Sequence, residues 1–273
     1  MNKSLLRPQR NAASDTRGGI AQALHLGTRM LKKVPEITVY FWIIKLLTTA
    51  LGESTSDYLV HQISPIIAVA LAGIGLLVAL VLQLVVRRYI AWVYWLAVIM
   101  VAIFGTMAAD VLHIGLGIPY LVSSAFFAVA LAIIFGVWYA CEKTLSIHSI
   151  YTRRRELFYW ATVITTFALG TAAGDMTAST LGLGYFSSGI LFAVLIAIPL
   201  LGYFLLHLNE IFAFWFAYIV TRPLGASFAD WVGKPHTQGG LDVGNGQVSL
   251  ILALLIIAFV GYLTVTHKDS KSA

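Results

Sequence analysis

The chain has 273 residues, of which 59% are hydrophobic and only 11% charged. A soluble domain carries roughly 25% charged and 45–50% apolar residues, so water cannot be the solvent for most of this surface, and the mean hydropathy of +0.85 points to a bilayer. The net charge of +6 is concentrated near the N-terminus and in alternate connections, a topology signal rather than a nucleic-acid footprint, and the single Cys141 excludes an internal disulfide or a cysteine metal centre.

Residues 1–35 contain Lys3, Arg7, Arg10, Arg17, Arg29, Lys32 and Lys33 but no apolar core with a small-residue cleavage site, so they are expected to form a basic cytoplasmic tail. Eight apolar runs follow, at about 36–56, 64–86, 90–109, 120–141, 156–174, 185–206, 211–229 and 247–266, each long enough to span a bilayer. Arg87 and Arg88 follow the second run. Lys143 and Arg153 to Arg155 follow the fourth, and Lys268 and Lys271 the last. The connections at 57–63, 110–119, 175–184 and 230–246 hold one base between them, Lys234. By the positive-inside rule both termini are cytoplasmic, with residues 268–273 as a short C-terminal tail. His207 to Glu210 is read as a tight cytoplasmic turn.

The sequence reads four times as Trp, nine residues, Gly, four residues, Asp. The copies are Trp42, Gly52, Asp57; Trp95, Gly105, Asp110; Trp160, Gly170, Asp175; and Trp215, Gly225, Asp230. Each falls on an odd-numbered helix and is followed by another apolar helix. The repeat is therefore read as a hairpin, at about 36–88, 89–143, 156–207 and 210–266 within a membrane domain of 36–267. The middle copies continue alike through Gly115, Gly117, Tyr120, Ser123, Ser124 and through Gly182, Gly184, Tyr185, Ser187, Ser188. The outer copies instead share an acid before the Trp, Glu36 or Glu210, and a base after it, Lys45 or Arg222.

All four hairpins point the same way, so their symmetry axis runs along the membrane normal. The expected fold is an all-α integral membrane bundle of about eight helices. Its four parallel-oriented hairpins are pseudo-symmetric, with the signature helices facing a common centre. The pattern resembles a bacterial family of uncharacterised membrane proteins made of four tandem two-helix repeats, each with a characteristic Trp. The resemblance covers nearly everything after residue 35; it implies an architecture and no activity. It suits a multi-pass protein of the bacterial cytoplasmic membrane.

Each signature Gly is followed four residues later by a small residue, a spacing that lets helices approach closely in lipid. The Asp comes next, so close approach gathers four carboxylates, which must share protons or bind a cation. Glu53 and His61 lie i−4 and i+4 from Asp57, and His113 lies i+3 from Asp110, adding candidate ligands if the helices continue. Mixed oxygen and imidazole donors favour Mn²⁺, Fe²⁺, Co²⁺ or Zn²⁺ over Ca²⁺. The Trp residues are read chiefly as packing, with an aromatic cage for organic cations as the alternative.

Competing readings exist for each group. The aspartates can be helix caps, and His61 and His113 solvated loop residues. Glu36 can serve the start of the first helix, and Lys45 an ion pair with Glu53. The leading functional expectation is a cation transporter or exporter, with a divalent metal such as Mn²⁺ as substrate. Proton coupling would run through the aspartates, with Lys45, Arg222, Glu36 and Glu210 as coupling candidates and the 234–247 loop as a gate. No resident cofactor is required. The expected partners are the bilayer and a small cation, not nucleic acid, and the oligomeric state is open. The alternatives are an enzyme acting on a lipid-linked substrate and a non-catalytic scaffold. Neither a phosphate-binding loop nor a His-Glu-x-x-His motif is present.

Overall fold

A computed structural model describes residues 32–269. Most of the basic N-terminal tail, and the C-terminal residues 270–273, lie outside them. The described residues form eight long helices and no strand. These are α1 Val39–Gln62, α2 Pro65–Val85, α3 Ala91–Asp110, α4 Tyr120–Glu142, α5 Arg153–Asp175, α6 Gly184–Leu206, α7 Glu210–Gly233 and α8 Asn245–Thr266. Helix starts carry recognisable caps: Thr38, Thr152 and Asn209 accept bonds from first-turn N–H groups, and Pro65 opens α2. Short π-helical turns, Val111–Gly115 and Met176–Thr180, prolong α3 and α5.

Helices α2 to α8 are long and apolar enough to cross a membrane. Helix α1 is equally long, about 36 Å at 1.5 Å per residue, but carries Lys45, Glu53, Asp57 and a run of Thr and Ser. Those groups are tolerated because α1 lies at the centre of the bundle, packed on α3, α7 and α8. The protein is a multi-pass helical membrane bundle.

The four odd helices form a closed inner ring, α1 on α3, α3 on α5, α5 on α7 and α7 on α1. The even helices lie outside and expose Ile, Leu, Val and Phe side chains such as Ile66, Val129, Val194 and Leu254, as a lipid-facing surface requires. The two helices of each repeat pack less on each other than on the neighbouring repeat: α2 packs more extensively on α3 than on α1, α4 on α5, α6 on α7, and α8 closes the circle on α1. Each outer helix thus buttresses the inner helix of the following repeat.

The signature residues make these joints. A Cβ on Gly52 would collide with Ala102, on Gly105 with Phe167, on Gly170 with Arg222 and on Gly225 with Thr49. Each of those partners lies three residues before the Gly of the next repeat, and the last joint returns to the first. The aromatic layer repeats the scheme. Phe41 lies 5.7 Å from Trp95, Tyr94 5.7 Å from Trp160, Tyr159 6.2 Å from Trp215 and Phe214 5.8 Å from Trp42, measured between ring centroids. The Trp residues therefore pack the core, and none of the four lines the cavity above Arg222. Trp95, Trp160 and Trp215 are buried, while Trp42 is partly covered.

The connections α2–α3, α4–α5 and α6–α7 share one end of the bundle with both described chain termini. There Lys33 pairs with buried Glu156 at 2.5 Å, Tyr89 donates to Asp269 at 2.5 Å, and the Glu36 N–H donates to the Asp269 carbonyl. This is the basic end; the four signature aspartates lie toward the other.

Candidate functional site

Arg222 enters the centre of the inner ring from α7 and is buried, with its side chain 1% exposed. Its Nη2, which carries two N–H donors, lies within hydrogen-bonding reach of Glu53 Oε2 at 2.8 Å, of Thr171 Oγ1 at 2.7 Å and of Thr106 Oγ1, and Nη1 reaches the Thr49 carbonyl at 3.4 Å. Glu53, Thr106 and Thr171 occupy the position after the signature Gly in repeats one to three. One guanidinium thus ties all four inner helices at one level. The level below is filled: Lys45 Nζ sits 3.9 Å from the centroid of Phe167 and 4.1 Å from that of Tyr218, without a hydrogen bond among the described residues.

Above Arg222 lies a cavity of about 1260 Å³, lined by Glu53, Asp57, Met107, Asp110, Asp175, Tyr120 and Tyr185, with His61, Gln62, Pro235, Gln238 and Asp242 around its mouth. Carboxylate oxygens of Glu53, Asp175 and Asp230 all fall within 4.8 Å of one another. Lys234 Nζ lies 3.4 Å from both Asp57 Oδ2 and Asp230 Oδ1, and Asn245 Nδ2 donates to Asp57 at 3.1 Å. Asp110 and Asp175 have no ion pair or side-chain hydrogen bond among the described residues. Four carboxylates, Glu53, Asp57, Asp110 and Asp175, therefore line the recess with Lys234, while Asp230 stands beside Glu53, Asp175 and Lys234, and Arg222 holds Glu53 at the base. Burial draws the Lys234 ammonium toward its neutral form, but Asp230, Asp57 and Glu53 outweigh that and hold it charged, well above the usual lysine range.

A model of a repeat of unknown function, DUF347, matches residues 40–89, 93–144, 158–208 and 213–269. The chain belongs to the DUF347 repeat family. No curated protein and no solved structure shows significant similarity to it.

Within each DUF347 repeat the signature Asp is helical. Asp57 and Asp230 lie inside α1 and α7, which run on to Gln62 and Gly233. Asp110 and Asp175 have helical backbones, make no capping bond and are followed by the π turns. None of the four side chains makes a helix-capping hydrogen bond among the described residues. The structure gathers Glu53, Asp57, Asp110 and Asp175 around the cavity with Asp230 beside Glu53 and Asp175, and puts His61 at the mouth, where its Nδ1 meets the Asp57 carbonyl at 2.6 Å.

His113 does not join Asp110. The π turn breaks the i, i+3 register, and the ring instead meets the Ile118 carbonyl at 3.0 Å and Ser123 Oγ at 3.2 Å. Lys45 does not pair with Glu53, which is two turns further along α1 and level with Arg222. Glu36 and Glu210 lie at the basic end, away from the aspartates, where Nδ1 and Nε2 of His148 approach them at 3.8 and 3.4 Å. Glu36 precedes α1 rather than beginning it, and also binds Lys32 at 2.6 Å.

Two components of the DUF347 repeats went unread in sequence. Every signature Trp is preceded by Phe or Tyr, and that aromatic makes the contact to the next repeat. The three threonines around Arg222 left no such signal, since Thr is ordinary in a membrane helix.

Proposed function

We propose that this protein is a membrane transporter or exporter of a small cation, with a divalent metal such as Mn²⁺ as the favoured substrate and proton coupling through the repeated aspartates. The observation that carries the reading is the closed-bottomed recess lined by Glu53 and Asp175, with an oxygen of Asp230 within 4.8 Å of an oxygen of each. Hard oxygen donors at that mutual spacing suit a small divalent cation. Excess carboxylate in a partly dry site is costly unless protons or a cation neutralise it, which makes exchange of one for the other favourable.

The cup is open at one end and sealed at the other by Arg222, Lys45 and the aromatic layer. That is the form of one state of an alternating-access carrier. The bases of the connections gather at the sealed end, which supports a cytoplasmic placement of that end and of both termini in the cytoplasmic membrane of a bacterium.

The test is a thermal-unfolding series on purified protein in detergent across divalent cations. A ligand selective for the folded state stabilises it by about 2.7 kcal/mol at a hundred times its dissociation constant. A metal-specific rise in midpoint that disappears in Asp110→Asn/Asp175→Asn is the expected result. No rise with any divalent cation, and a variant that is merely less stable, would overturn the proposal. In proteoliposomes, uptake of that metal should then follow an imposed pH gradient.

A further inference from the structure

Lys234 stands immediately after α7, with its backbone held at both ends: its N–H donates to the Asp230 carbonyl at 2.9 Å and its own carbonyl accepts from Asp242 N–H at 2.9 Å. Its side chain reaches back over the cup, where Nζ lies between Asp57 and Asp230 and 5.0 Å from the centroid of the Tyr185 ring. At 3.4 Å from each carboxylate it makes charge contact but no hydrogen bond with either. Asp230 is only 3% exposed, and its Oδ1, which faces Lys234 Nζ, accepts no hydrogen bond among the described residues. A carboxylate oxygen buried this way is expensive unless a cation completes it. The lysine satisfies its charge and leaves its bonding capacity unused.

We infer that Lys234 is a tethered counter-ion that holds the cup in the absence of cargo, and that a divalent cation binds by displacing its ammonium from between Asp57 and Asp230. This rests on the cation-transport reading and adds the residue that sets apparent affinity. A four-carbon stem with a compact ammonium can swing to solvent without moving the anchored backbone, and the side chain already lies at the rim, 19% exposed. Exchange of one cation for another also keeps the buried charge from rising when cargo leaves. The cup is then competent for cargo only while Lys234 is out. If that is about a tenth of the time, apparent affinity is lowered about tenfold.

The test uses the full chain in detergent, with MnCl₂ as the probe and two readouts. First, wild type and Lys234→Gln are titrated by thermal shift, and the variant is expected to respond at about tenfold lower Mn²⁺. Second, lysine acetylation of the wild type is followed by peptide mass spectrometry. Lys234 is expected to react slowly without metal and faster with saturating Mn²⁺, because the displaced amine leaves its place between the carboxylates and enters water. The second readout needs no variant, so a Lys234→Gln protein that fails to fold leaves the question answerable. Equal or weaker Mn²⁺ affinity in Lys234→Gln, or Lys234 labelling that is unchanged or slowed by Mn²⁺, overturns the displacement while the cup remains a cation site. No Mn²⁺ response in either protein overturns both readings together.

Discussion

Arg222 of the fourth repeat donates to Glu53 of the first at 2.8 Å across the centre of the inner ring, with both side chains at most 3% exposed. The pair forms the base of the carboxylate cup and the hub of the bundle. Removing one partner of a buried pair leaves a charge without compensation, at a cost of about 3–5 kcal/mol. Arg222→Met and Glu53→Met are each expected to lower the unfolding midpoint strongly. The double variant should recover much of the loss, since an apolar pair of similar volume is commonly neutral. A thermal double-mutant cycle checks this; additive losses would remove Arg222–Glu53 from the account of stability.

The inner-ring joints predict a position-dependent cost for glycine replacement. A Cβ on Gly52 would lie 2.8 Å from the Ala102 carbonyl carbon, which is backbone and cannot swing aside. Gly52→Ala should force α1 and α3 apart and cost about 1–3 kcal/mol. Gly136 in α4 has nothing within 4 Å of its Cβ position and faces outward. Gly136→Ala is expected to leave the midpoint unchanged or raise it by a few tenths of a kcal/mol up to about 1 kcal/mol.

The aromatic layer predicts unequal losses among the four tryptophans. Trp95 is 1% exposed and touches both Phe41 and Tyr94, so Trp95→Ala should cost about 3–5 kcal/mol. Trp42 is only partly covered, and Trp42→Ala should cost less. Parallel denaturation of the two variants measures the difference, and equal losses would contradict the burial.

At the basic end, burial raises the Asp269 carboxyl above its ordinary 3.8, partly countered by the hydrogen bond from Tyr89. A raised acid binds its proton more tightly in the folded state than in the unfolded one, so its contribution to stability declines as pH rises. The decline starts near 3.8 and is complete above the raised value. Asp269→Asn keeps an acceptor for Tyr89 and removes the titration. Its stability should vary less with pH in that acid range, as seen in midpoints measured across it; parallel profiles would overturn this.

Some of this was legible in the four copies of the Trp–Gly–Asp spacing. Regular spacing on apolar helices of common direction implies an inner ring, and the helix bounds follow from apolar length and from caps such as Thr38 and Asn209. The gathering of the aspartates follows as well, because a Gly five residues before each Asp admits the neighbouring backbone. The π turn at Val111–Gly115 was not legible, and with it went the expected pairing of His113 with Asp110. Nor was the partner of Lys45, since spacing along α1 says nothing about what α5 and α7 bring alongside.

The sequence by itself therefore determined a membrane solvent, eight helices, the fourfold repeat and the set of carboxylates, because these depend on apolar length and on period along one chain. Only the tertiary structure decided which repeat locks onto which, that Arg222 rather than Lys45 meets Glu53, and that Lys234 closes over Asp57 and Asp230. Those contacts join residues up to 177 positions apart, from Asp57 to Lys234, and depend on the order in which helices close into a ring, which no local period encodes.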